Sequence, residues 1–178
     1  MSRPSLTLAP AAVVAVFCLA FGVSCSPKET KAMGSGHDPA KAAAVAGSAC
    51  ERKLLTAADA ATVIAGPITG TRPLAGDRGA CEFTTAGYAS VIVSLRPNGK
   101  ATLAVWKSGR MPVSGTPLAG VGDDAVWVGS LDEVVAERND LLCDIQVNGF
   151  AAVLHDRSAA AEQKAVGALC NRIFEEVR

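Results

Sequence analysis

The sequence predicts an α+β domain: an antiparallel sheet of about five strands with helices packed on it, in the order α-β-β-α-β-β-β-α. Three observations predict it. Apolar and polar residues alternate along Cys81–Thr84, Tyr88–Leu95 and Leu141–Asn148, the period of a strand with one face buried. The links between these runs, such as Ala86-Gly87 and Asn139-Asp140, are of hairpin length, which joins antiparallel neighbours. Near the end of the chain Val166, Leu169, Cys170, Ile173 and Val177 recur at helical spacing, a stripe that must be buried against another layer.

The elements follow in order. Thr56-Ala57-Ala58-Asp59 has the spacing of a capping box, with Leu54-Leu55 before it, and predicts a helix that ends at Gly66-Pro67. A Pro- and Gly-rich loop runs on to Gly79. Cys81 and Phe83 alternate with Glu82 and Thr84 as a first strand, and Val91, Val93 and Leu95 share a face of the second. Pro97-Asn98-Gly99 turns the chain into Ala101–Ser108, which is read as a short helix. Pro112–Gly122, with two Pro and three Gly, reads as mostly loop. Ala125–Val128, Glu133–Arg138 and Leu141–Asn148 read as three strands, turning at Ser130-Leu131 and Asn139-Asp140. Asp156 or Ser158 caps a final helix through about Val177.

The organisation along the chain is tripartite: 1–25 an export signal, 26–49 a flexible tether, and 50–178 one domain. Arg3 precedes the apolar run Leu6–Val23, which Pro10 interrupts and which ends at Ser24-Cys25-Ser26-Pro27. A cationic start, an apolar segment too short for a comfortable membrane span and small residues at its end make a signal peptide. Ser26–Ala49 is rich in Ala, Gly, Ser and Lys, carries Pro27, Pro39 and a solvated His37, and lacks an apolar stripe. As a flexible coil it reaches roughly 27 Å. Removing residues 1–25 takes away Arg3 and no acid, so the mature chain is one charge negative. That balance gives no reason to expect nucleic acid as a partner. Only six aromatic residues follow the signal, so the core must rest on Val, Leu, Ile and Ala.

Four cysteines lie in the domain: Cys50, Cys81, Cys143 and Cys170. An even set in an exported domain implies disulfides, and four cysteines allow three connectivities. Pairing sequence neighbours gives Cys50–Cys81 and Cys143–Cys170, each closing a loop of about 30 residues and contributing roughly 3–4 kcal/mol. Periodicity supports the second pair, since Cys143 alternates with Leu141, Ile145 and Val147 while Cys170 sits on the helical stripe. Zinc is disfavoured because the cysteines form no close pair such as C-x₂-C. No C-x-x-C suggests redox chemistry.

Two resemblances add to this reading. The segment ending Val23-Ser24-Cys25 resembles the lipobox of bacterial lipoproteins, with Gly22 where Leu is usual. The resemblance implies acylation of Cys25 by palmitate-type chains and a membrane anchor; two or more such chains hold firmly. Cys50-Glu51-Arg52-Lys53-Leu54-Leu55-Thr56-Ala57-Ala58-Asp59, a lone cysteine some thirty residues on, and Leu118-Ala119-Gly120-Val121-Gly122-Asp123-Asp124-Ala125 resemble a class of small bacterial lipoproteins. These carry a domain of unknown function with two consecutive disulfides, similar in outline to extracellular sensor and ligand-binding domains. The resemblance covers most of 50–178, supports the sequential pairing and brings no catalytic residues.

Candidate chemistry is sparse. His155-Asp156-Arg157-Ser158 holds a histidine, an acid and a serine, but sequence neighbours cannot converge on one reacting atom as a triad does. Asp123-Asp124 after Gly120-Val121-Gly122 supplies too few oxygens for calcium and reads as acids beside a tight turn. No phosphate loop, dinucleotide fingerprint, H-E-x-x-H or G-x-S-x-G is present. Trp106, Trp127 and Tyr88 are the rings available to line a ligand pocket, with core packing as the simpler role for the tryptophans. The expectation is a membrane-anchored, non-catalytic binding or sensor-like module, without cofactor or metal, facing the periplasm or the cell surface. Its partner would be an envelope protein, a glycan or a small molecule. The alternatives are a small hydrolase using His155 or Asp123 and Asp124, and a purely structural envelope protein.

Overall fold

The computed structural model describes residues 46–64, 66–77, 79–109, 113–149 and 158–178. Cys18, Cys25, the tether up to residue 45 with its His37, and His155 and Asp156 lie outside the described residues.

The dominant element is a seven-stranded antiparallel sheet. A one-turn helix α1 (Ala57–Ala60) leads into β1 (Ile68–Pro73), β2 (Ala80–Thr85) and β3 (Ser90–Pro97). Helix α2 (Gly99–Lys107) follows, then β4 (Thr116–Pro117), β5 (Asp124–Val128), β6 (Glu133–Arg138), β7 (Leu141–Asn148) and α3 (Ala159–Glu176). The spatial order is β1-β2-β3-β7-β6-β5-β4, so two meanders meet where β3 pairs with β7.

This corrects the expected arrangement of about five strands in the order α-β-β-α-β-β-β-α. The chain runs α-β-β-β-α-β-β-β-β-α and is sheet-dominated. The two additional strands, β1 and β4, occupy segments that Pro and Gly mark as loop. Both are edge strands paired on one side only, β1 to β2 and β4 to β5, where proline is tolerated and blunts the edge. The first helix is also shorter than its signals imply. It stops after Ala60, and residues 61–64 form turns that bury Val63 and Ile64.

Alternation along the strands divides the sheet into two faces. The inner face presents Cys81, Phe83, Val91, Val93, Leu95, Val134, Ala136, Cys143, Ile145 and Val147. Against it pack the α1 segment, through Leu54, Leu55, Ala60, Val63 and Ile64, and α3, through Val166, Leu169, Cys170, Ile173 and Phe174. The outer face carries a smaller apolar cluster of Val126, Val128, Val135 and Leu142, covered by Leu103 and Trp106 of α2.

Two disulfides, Cys50–Cys81 and Cys143–Cys170, staple the inner layer with Cα separations of 5.0 and 5.8 Å. The first ties the segment before α1 to β2, and the second ties α3 to the central strand β7. Disulfides of this type persist in an oxidising, extracellular-type compartment. Among the described residues no helix is long and apolar enough to cross a membrane.

Caps and turns position the rest. Thr56 Oγ1 accepts from Asp59 N–H at 3.2 Å while Asp59 Oδ2 accepts from Thr56 N–H at 2.8 Å, completing the capping box. Asp59 Oδ1 also pairs with Arg172 of α3, so this carboxylate locks α1 onto α3. Burial alone raises the Asp59 pKa, but hydrogen bonds from Thr56 and the Arg172 charge outweigh it and hold it below the usual value. Its stabilisation is therefore complete above the ordinary Asp pKa and lost as pH falls through the lower, folded value. Asp59→Ala is expected to cost about 2 kcal/mol at pH 7, cap and half-exposed ion pair together. Urea denaturation at pH 7 checks the loss, and the gap between variant and wild type should narrow in acid.

Gly122 supplies a second device. Its φ of +59° is left-handed, and a Cβ there would meet the Glu137 carbonyl. Asn171 of α3 accepts from Gly122 N–H at 2.9 Å and donates to the Gly120 carbonyl at 2.9 Å, fixing the loop before β5 to the helix. Gly122→Ala combines strained backbone with a main-chain clash and should cost roughly 2–3 kcal/mol in denaturant titration.

Candidate functional site

Strand pairing assembles a polar stripe on the outer face, beside the apolar cluster that α2 covers. The inward residues of β3 are Val91, Val93 and Leu95, so Ser90, Ile92, Ser94 and Arg96 point outward. On β7 the outward residues are Leu142, Asp144, Gln146 and Asn148, and on β6 they are Glu133, Val135 and Glu137. Register then sets the neighbours: Ser94 lies opposite Asp144, Ile92 opposite Gln146, Gln146 opposite Glu133, and Asp144 opposite Val135. Glu133 and Asp144 are diagonal neighbours, within reach of each other's carboxyl groups.

The register places the two carboxyls where they act on each other and can share a proton. Glu133 is only 6% exposed. Burial first, and then the Asp144 charge and hydrogen bond, push Glu133 up to about 8. Asp144 is also raised, chiefly by burial, while its bond to Glu133 and the Arg96 charge draw it back. Both shifts favour the protonated form, so the pair resists carrying two negative charges at once. Like-charged carboxyls in a shared site behave in this way. Arg96 forms an ion pair with Asp77, so its charge is already balanced.

Beside the pair stands Ser94, 2% exposed, whose Oγ is the buried side-chain polar atom without a hydrogen-bond partner among the described residues. Further along, Asn148 donates to Ser90 Oγ at 3.2 Å. Asp77 links the stripe to a cleft of about 490 Å³ lined by Ser48, Glu51, Pro73, Leu74 and Asp77. A second cleft of about 480 Å³ lies between the loop at Leu118–Val121 and Gln163, Lys164 and Ala168 of α3.

The residues singled out from sequence do not converge. Trp127 is in the inner core, Trp106 packs on the outer apolar cluster, and Tyr88 is 98% exposed in the β2–β3 turn with φ +67°. They sit on opposite faces and a loop tip, so they line no common pocket. Asp123 and Asp124 diverge: Asp123 accepts from Asn139 N–H at 3.0 Å and faces Arg138, while Asp124 pairs with Lys107 of α2. Among the described residues no group of three or more His, Cys, Asp and Glu is placed to hold a metal ion.

Glu133 and Asp144 are the residues that sequence reasoning missed. Each reads as an ordinary outward polar residue of a half-buried strand, and only the β6–β7 register joins them. Comparison of the chain with protein-family models, curated proteins and solved structures finds no match.

Proposed function

We propose that this chain is an exported lipoprotein, acylated at Cys25 and carrying on its tether a non-catalytic binding module. Its ligand surface is the polar stripe of β3, β7 and β6. The observation that carries the reading is the carboxyl pair Glu133 and Asp144, made diagonal neighbours by the β6–β7 register, beside a Ser94 hydroxyl that has no hydrogen-bond partner among the described residues. Perturbed acids cluster at functional sites, and strands of a disulfide-braced sheet hold such groups more rigidly than loops do. The signal segment supports export, and the oxidising compartment implied by the disulfides agrees with it. Asp123 and Asp124, each held by a different cation, lend the hydrolase alternative no support.

Two experiments test the proposal. Metabolic labelling with a palmitate analogue should mark the wild-type chain and not Cys25→Ser; equal label in both removes the anchor. A photo-crosslinking p-benzoylphenylalanine replacing Ile92, in intact cells, should give an adduct in the mass spectrum of the purified chain. The same group replacing Tyr88 serves as the control. Absence of an Ile92 adduct, or equal adducts at both positions, contradicts a ligand surface on the stripe.

A further inference from the structure

We propose that the stripe recognises a protonated primary amine, seated between the Asp144 carboxylate and Ser94 Oγ. This deepens the reading of the stripe as a ligand surface and rests on it. Two independent observations point to a ligand there. Among the described residues the Glu133–Asp144 pair retains negative charge that its nearest cations do not fully offset, since Arg96 is committed to Asp77 and Arg72 to Glu82. Ser94, opposite Asp144 in the β3–β7 register, keeps a buried hydroxyl with no hydrogen-bond partner among the described residues. The occupant must therefore bring positive charge and at least two hydrogen-bond donors.

A primary ammonium meets both demands. It carries three N–H donors, of which one reaches Asp144, one reaches Ser94 Oγ and the third stays in water. A charge-assisted bond of this type satisfies the Ser94 hydroxyl, which no described residue engages. Ile92, half-buried and two residues from Ser94 on the same face, offers an apolar surface to the alkyl stem of the amine. A divalent metal ion fits less well. Two carboxyls with Arg96 nearby are too few anionic oxygens for a hard cation that takes six or more ligands.

The test uses the full chain in detergent micelles, followed by ¹H–¹⁵N NMR while n-butylammonium chloride is added. Shifts should centre on Ile92, Ser94 and Asp144 and saturate. Ser94→Ala and Asp144→Asn should each weaken the probe at least tenfold. Tetramethylammonium, equal in charge but without N–H donors, should bind at least tenfold more weakly than butylammonium. Shifts centred elsewhere overturn the proposal, as does undiminished affinity in a folded Ser94→Ala variant. Equal binding of tetramethylammonium, or tighter binding of calcium chloride at the same residues, also overturns it. An Ile92 crosslink in cells together with no butylammonium binding removes the amine alone, whereas loss of both removes the ligand surface itself.

Discussion

Replacing Cys143 and Cys170 together by alanine should lower the unfolding free energy by about 3–4 kcal/mol, from chain entropy alone. The bond joins the third residue of β7 to the fourth turn of α3, and both cysteines are fully buried. The loss weighs heavily because the inner core that holds the bond is made mostly of small side chains. Val91, Val93, Val134, Ala136, Val147 and Val166 share its core cluster, and Phe83, Trp127 and Phe174 are the aromatic rings in that cluster. Alanine at both positions restores little of the lost packing. Unfolding α3 from the sheet would also free Arg172 and Asn171, which tie the helix to Asp59 and to the Gly120–Gly122 loop. Urea denaturation followed by circular dichroism reads the loss, with Cys50→Ala/Cys81→Ala as the comparison. Cys50 is partly exposed at the start of the domain, so its pair should contribute its loop-closure entropy and little packing. A loss below about 1 kcal/mol for the Cys143–Cys170 pair would contradict its role as the staple of α3.

Glu133→Gln should stabilise the protein at pH 8.5 by roughly 2–3 kcal/mol and change it little at pH 5. The sign follows from linkage. The folded pKa of Glu133 is raised to about 8 from an ordinary 4.5, so the folded chain binds a proton that the unfolded chain releases. Wild-type unfolding free energy therefore falls as pH rises from about 4.5 towards 8, by at most about 1.4 kcal/mol per pH unit. Glutamine keeps a donor to Asp144 and never ionises, which removes that slope. The magnitude stays below the full shift because Asp144 takes part of the proton sharing. Thermal or urea unfolding across pH 5–9 gives both curves. Parallel curves for wild type and variant would mean that Glu133 is ionised throughout.

What could be read from the chain before its structure depended on how strongly local chemistry signals each element. Glu133–Arg138 and Leu141–Asn148 are legible to the residue, because alternation is clean and Asn139 and Asp140 tolerate the positive φ of a tight hairpin turn. Thr56 and Asp59 announce their capping box, although only one helical turn follows. β1 and β4 are hidden because Gly70, Pro73 and Pro117 carry loop chemistry, and edge strands accept residues that central strands refuse. The site is hidden for a different reason. Glu133 and Asp144 lie on separate strands, and a one-residue slip in the β6–β7 register would send Asp144 to the opposite face. Ser94 joins them only through the β3–β7 pairing, which spans some fifty residues of chain. Trp106 and Trp127 drew attention as large rings, yet in a core this poor in aromatics their volume is needed for packing.

The central claim is that β6 and β7 hold two carboxyls around one proton on the outer face. Carboxyl ¹³C chemical shifts of Glu133 and Asp144, followed from pH 3 to pH 10, test it most directly. The account predicts a Glu133 transition near pH 8 in the wild type, with the Asp144 signal responding to the same step. It predicts further that Asp144→Asn lowers the Glu133 transition, since the like charge is gone while the burial remains. Two independent transitions in the ordinary carboxylate range, near 4, would contradict it.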